Sequence, residues 1–132
     1  MDKLIRLTGM VVVTLAALGS TACSKKADEC NAVIDVYNKG LDANHAVKGD
    51  DPEAASKLGA VWAKEAGEYA KLTITTPELK TIAGKLQSEA QGASTGLANA
   101  EEGGAAGVKP HVDAYAAASK ELQSFCGVEE KK

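Results

Sequence analysis

The chain is 132 residues long with a formal net charge of −3, from 15 Lys and Arg against 18 Asp and Glu, and only 4% of it is aromatic. A mildly acidic chain lacks the electrostatic footprint of a nucleic-acid binder, so no nucleic-acid partner is expected. The length suits one domain, and with Tyr37, Trp62, Tyr69, Tyr115 and Phe125 as its only large rings the core must be built mostly from Ala, Leu and Val.

Residues 1–22 form a distinct leading segment. Lys3 and Arg6 precede a nearly continuous apolar run from Leu7 to Leu18, and the small residues Gly19-Ser20-Thr21-Ala22 lead into Cys23. Basic, apolar and small-residue parts in that order have the layout of a secretory signal peptide. The apolar run is roughly a dozen residues, short of the ~20 that a helix needs to span a bilayer. A cysteine at the cleavage boundary resembles the lipobox of bacterial lipoproteins, in which that cysteine is acylated and becomes the first residue of the mature chain. The resemblance implies a palmitate-type lipid on Cys23. Ser20 stands where that family usually has Leu, and Ser20 with Ala22 also suits an ordinary signal peptidase, so cleavage before Cys23 is expected by either route. By the same resemblance, Ser24 in place of the Asp associated with inner-membrane retention implies an outer-membrane lipid anchor; the domain is expected to face the periplasm. Residues 23–29 read as the lipidated N-terminus and a short tether, about 20 Å at full extension from Ser24 to Glu29. Losing Asp2, Lys3 and Arg6 with the signal takes the formal charge from −3 to −4.

Four amphipathic helices follow, read from apolar residues at spacings of three and four. Cys30, Val33, Ile34, Tyr37, Leu41 and Val47 share the first face, which Gly49-Asp50 ends. Asp51-Pro52-Glu53 opens the second helix, with Asp51 as cap and Pro52 at the first helical position; its stripe is Leu58, Val61, Trp62, Ala66, Tyr69 and Leu72. Thr75-Thr76-Pro77-Glu78 gives a third start, with Thr75 and Glu78 spaced as a capping box, and Leu79, Ile82, Leu86, Ala90, Ala93 and Leu97 form its stripe. The breaker-rich stretch from Glu101 to Gly107 reads as a poorly ordered connection. Pro110 suits the first turn of the last helix, which carries Val112, Tyr115, Ser119, Leu122 and Cys126 and stops at Gly127, leaving residues 128–132 as a charged tail.

Short links make consecutive helices antiparallel neighbours, so residues 30–127 are expected to form an all-α, up-down-up-down four-helix bundle. The chain has three cysteines. In an oxidising compartment two would pair and one be left over. With Cys23 lipidated, Cys30 and Cys126 are the natural disulfide, the alternative being two buried free thiols. Helix parity agrees: the start of the first helix and the end of the last lie together only if the number of helices is even.

Chemical sites are harder to find. His45 and His111 each lie fifteen residues from their cysteine, at similar height in the bundle, but a rotation of about 60° each carries them to opposite sides of the seam. Solvated histidines and no shared metal are expected. Asp42 and His45 lack the partner motif of a di-iron bundle. No Cys-x-x-Cys-His haem attachment, nucleophile elbow or phosphate loop is present, and Cys30 and Cys126 lack a neighbouring base. Glu65 and Glu89 sit at stripe edges and are expected to be solvated rather than to converge as an inward carboxylate pair. Gly40, Gly59, Gly67, Gly84, Gly92 and Gly96 interrupt helices and read mainly as points of close helix approach, with a softened, ligand-admitting groove as the alternative.

The chain is therefore read as a non-catalytic, membrane-anchored interaction or scaffolding module with an unidentified protein partner and no cofactor. The alternative is a small-ligand or metal carrier using a groove lined by Trp62, Tyr69, Tyr115 and Phe125.

Overall fold

The computed structural model describes residues 10–12, 21–99, 107–127 and 129–131. Four helices carry the fold: α1 (Thr21–Ala46), α2 (Ala54–Lys71), α3 (Pro77–Ala98) and α4 (Lys109–Cys126). Two three-residue strands, β1 (Met10–Val12) and β2 (Glu129–Lys131), pair antiparallel with Val11 opposite Glu130. The connection expected to be poorly ordered lies, apart from Gly107, outside the described residues, as does most of the expected signal segment.

The architecture is the expected antiparallel four-helix bundle. Helices α2 and α3 pack most extensively, α3 and α4 next, and α1 closes the bundle against α2 with lighter contact to α4. The periodic stripes become the core. Every stripe residue is buried except Val47, Val61 and Leu72, which are half-buried. Small residues let the layers approach: Ala66, Ala83, Ala90, Ala93 and Ala118 lie in the core between the larger Leu86, Leu122 and Trp62. Pro110 sits in the first turn of α4, where its missing N–H costs no intrahelical bond. Gly127 ends that helix at φ 67°, and its N–H returns to the Gln123 carbonyl, a left-handed cap that favours glycine.

Cys30 and Cys126 are joined by a disulfide, with their Cα atoms 5.9 Å apart. The bridge ties the α1 start to the α4 end, where the α2–α3 link also lies. Three expectations at helix starts need correction. The first helix, expected to begin at Cys30, begins at Thr21, so the residues of the short tether from Ser24 to Glu29 are helical. This extra length has anchors: Lys26 Nζ sits 4.3 Å above the Phe125 ring, and Glu29 is buried against the α2–α3 link. Thr75 and Glu78 do not form a capping box. Thr76 occupies the cap position of α3 without a side-chain cap bond. Glu29 caps α3 instead, its carboxylate accepting hydrogen bonds from Thr75 N–H (2.8 Å), Thr75 Oγ1 (2.6 Å) and Thr76 N–H (3.0 Å). An anion beside the open N–H groups and positive dipole end of a helix is well placed, and these bonds, led by the Thr75 side chain, hold the Glu29 carboxyl down at about 2.

Helix α2 also begins later than expected, at Ala54, with Pro52 in the preceding turn. Asp51 closes that turn: its Oδ1 accepts from Glu53 N–H at 2.8 Å, its carbonyl from Ala54 N–H at 3.0 Å, and its other carboxylate oxygen from Lys57.

Close approach explains some of the helical glycines but not all. A Cβ at Gly40 would fall 2.3 Å from Glu65 Oε2, one at Gly92 would fall 2.3 Å from His111 Nδ1, and one at Gly96 would press on the Gly107 carbonyl at 3.0 Å. At Gly59 it would make ordinary contact with Leu97, while at Gly67 and Gly84 it would meet nothing within 4 Å.

Candidate functional site

The bundle buries one carboxyl in its aromatic core. Glu65 is 4% exposed. It lies three residues after Trp62 and four before Tyr69 on α2, so helical periodicity sets it on the same inward arc. Its Oε1 accepts a hydrogen bond from the Tyr69 hydroxyl at 3.0 Å and another from the Tyr115 hydroxyl of α4. The two hydroxyls are themselves 2.7 Å apart. Tyr37 of α1 stacks on the Tyr115 ring at 6.0 Å, and Trp62 meets that ring edge-on at 4.9 Å. The indole Nε1 of Trp62 finds no hydrogen-bond acceptor among the described residues.

Burial pushes the Glu65 carboxyl up to about 7, against the opposing pull of the Tyr115 and Tyr69 hydrogen bonds. Burial likewise carries both tyrosines well above their usual value of 10. A carboxyl held in this range changes charge near neutral pH, which an ordinary glutamate does not.

Gly40 makes room for this group. Any side chain there would occupy the space of the Glu65 carboxylate, and the local backbone is fixed by Asn44 Nδ2 donating to the Gly40 carbonyl at 2.9 Å. Gly40 and Glu65 are also where the core meets the outside. Between α1 and α2 lies a cleft of about 770 Å³. Val36, Ala43 and Val61 are among its apolar walls, and Glu65 and Gly40 are its buried floor. Asp35, Lys39, Lys64 and Glu68 stand around its opening. Lys39 is bound to Asp35 at 2.8 Å, and Glu68 to Lys71 at 3.2 Å. Among the described residues no cation forms a salt bridge with Glu65.

The reading of Glu65 as a solvated flank residue is thus corrected. Two hydroxyls on one oxygen and the space left by Gly40 provide what an isolated buried carboxyl would lack. Glu89 is half-buried, and its Oε2 lies 2.8 Å from His111 Nδ1 across α3 and α4. Glu65 and Glu89 therefore have separate partners and do not form a pair. His111 is half-buried rather than solvated, whereas His45 is exposed as expected. Among the described residues, no group of three or more His, Cys, Asp or Glu side chains is arranged to hold a metal ion.

The aromatic groove is also corrected. Trp62, Tyr69 and Tyr115 are 1%, 3% and 1% exposed, so they fill the core instead of lining an opening. Phe125 packs at its margin under Lys26. The open cleft lies one layer further out, with small aliphatic walls. Sequence reasoning named Gly40 as a point of close helix approach but did not connect it with Glu65 or place the cleft there. The available signal was a glutamate embedded among Trp62, Ala66 and Tyr69 on a helix whose neighbour carries an interior glycine.

Among the described residues no helix is long and apolar enough to cross a membrane. No family model, curated protein or solved structure matches the chain.

Proposed function

We propose that the chain is an exported envelope lipoprotein, anchored to the outer membrane through a lipid on Cys23, that acts as a non-catalytic interaction module facing the periplasm. The supporting observation is the continuity of α1 from Thr21 to Ala46. Cys23 and Cys30 then lie seven residues apart on one helix, about 10 Å along its axis. Cys30 is bonded to the end of α4, so a lipid on Cys23 would hold the bundle by its braced end. Cleavage before Cys23 removes β1 and with it the partner of β2.

Growth with a labelled palmitate analogue, followed by membrane fractionation, tests the anchor. Label is expected on the wild-type protein in the outer-membrane fraction and lost in Cys23→Ser, which would be released as a soluble periplasmic species. Equal labelling of Cys23→Ser would overturn the assignment. Crosslinking in cells from lysines away from the braced end, such as the exposed Lys48 in the α1–α2 link, tests the interaction role, with a discrete crosslinked partner as the expected product.

The α1–α2 cleft favours a second reading, a tethered small-ligand carrier. Its walls are not the aromatic set expected from sequence but the aliphatic residues around Gly40 and Glu65.

A further inference from the structure

We propose that the α1–α2 cleft binds a small organic cation, with an ammonium group seated on Glu65 Oε2 and an apolar body lying along Val36, Ala43 and Val61. The inference rests on the carrier reading and is independent of any lipid on Cys23.

Three observations converge on this ligand class. The first is an uneven hydrogen-bonding pattern. Both tyrosine hydroxyls donate to Glu65 Oε1. Oε2 lies toward Gly40, on the cleft floor, and no protein donor reaches it among the described residues. Buried carboxylates ordinarily acquire a cationic partner. This one has an unfilled acceptor and an open approach in the same direction.

The second observation is charge. Three carboxylates, Asp35, Glu65 and Glu68, line the cleft against two lysines, Lys39 and Lys64. Lys39 is held on Asp35 at the opening. Glu68 is likewise held by Lys71, so the charges at the opening are largely paired and the ionised Glu65 itself is the charge that an anionic ligand would meet on the floor. A neutral ligand would leave the ionised carboxylate desolvated and unpaired, at the cost that such burial carries.

The third is space. A cleft of about 770 Å³ falls in the range of small-molecule sites, which are mostly apolar with a few placed polar groups. Gly40 is the residue that keeps the floor open, since a Cβ there would collide with the carboxylate.

Binding should depend on pH because an ammonium pairs with the ionised form of Glu65, whose carboxyl burial pushes up to about 7. The titratable or charged groups around it are Asp35, Tyr37 and Lys39 from α1, Lys64, Glu68 and Tyr69 from α2, and Tyr115 from α4. Helix α3 contributes no ionisable hydrogen-bond or ion-pair partner to Glu65 among the described residues.

The test uses the full chain with its disulfide intact and Cys23→Ser to exclude an acyl chain. Phenethylammonium is titrated by NMR, with phenethyl alcohol as the neutral control and 3-phenylpropionate as the anionic one. At pH 8 we expect saturable amide shifts at Gly40, Ala43 and Val61 with phenethylammonium, at a Kd of about a millimolar or below, the scale reached by ligands of this size. The alcohol should bind at least about tenfold more weakly, and the carboxylate should give no saturable shift. Lowering the pH from 8 to 6 should weaken ammonium binding and, because protonated Glu65 no longer has to be desolvated as an anion, leave alcohol binding unweakened or stronger. Glu65→Gln should lose the preference for the cation. If that variant does not fold, the wild-type preference and pH profile decide. Equal binding of alcohol and ammonium, or a cation preference that persists in folded Glu65→Gln, would overturn the cation assignment and leave the carrier reading standing. No saturable shift with either compound at about 10 mM would overturn both.

Discussion

Glu65 should make the bundle less stable as pH rises through the weakly acidic range. Moving a carboxyl from 4.5 to about 7 corresponds to a preference of about 3 kcal/mol for its protonated form in the folded state. Below pH 4.5 Glu65 is protonated whether the chain is folded or not, and this contribution is complete. As pH rises above 4.5 the unfolded chain releases the proton first, so stability falls by up to about 1.4 kcal/mol per pH unit and levels off above about 7. For a domain of this size the full effect is a drop in Tm of about 10 °C or more between pH 4.5 and 8. Glu65→Gln keeps the size and an acceptor for the tyrosines but cannot ionise. Its stability should match the wild type near pH 4.5 and exceed it by about 3 kcal/mol at pH 8. Urea unfolding followed by helical circular dichroism, at half-unit steps from pH 4 to 8, measures both curves. The difference between the two proteins isolates the contribution of Glu65. Parallel curves from pH 4.5 to 7.5 would refute the reasoning, because they would mean that the carboxyl is not held away from water.

Glu29 acts in the opposite sense at lower pH. Its folded-state value of about 2 lies below the ordinary 4.5, so its contribution is present above pH 4.5 and lost as pH falls toward 2. Glu29→Gln should flatten that acid limb and reduce hydrogen-exchange protection in the first turn of α3; an unchanged acid limb would show that the cap is not formed. Replacing Cys30 and Cys126 together by Ala should cost about 4–5 kcal/mol in urea unfolding, given a bridge closing a sequence separation of 96 residues. In a Cys23→Ser background, alkylation should label no thiol until reductant is added. Gly67→Ala and Gly84→Ala, with no atom within 4 Å of the new Cβ, should each stabilise the helix by about 0.5–1 kcal/mol. Gly40→Ala should instead destabilise by about 1–3 kcal/mol, since the methyl would displace the Glu65 carboxylate.

The helices were legible because burial follows the 3.6-residue period, and Leu79, Leu86, Ala93 and Leu97 lie in the core where that period puts them. The bridge was legible because the cysteine count and helix parity constrain each other without side-chain detail. The capping of α3 was not, because its acceptor lies on α1, 46 residues before the threonine that it binds. Local sequence offered Thr75 and Glu78, a chemically adequate pair, and tertiary structure supplied a better-placed anion. Glu65 escaped for a related reason. Its polarity alone argues for solvent, and the argument reverses only when Tyr115, 50 residues later, and the missing side chain at Gly40 are placed against it. The two glutamates that sequence patterning could not interpret thus act at different interfaces of α1. Glu29 fastens its start to the α2–α3 link, and Glu65 is a buried acid under its middle, beside the cleft. Helix α1 is firmly fixed at the disulfide end and packs lightly on α4, so a ligand entering beside Gly40 would meet the wall of the bundle with the least packing to resist a small outward shift.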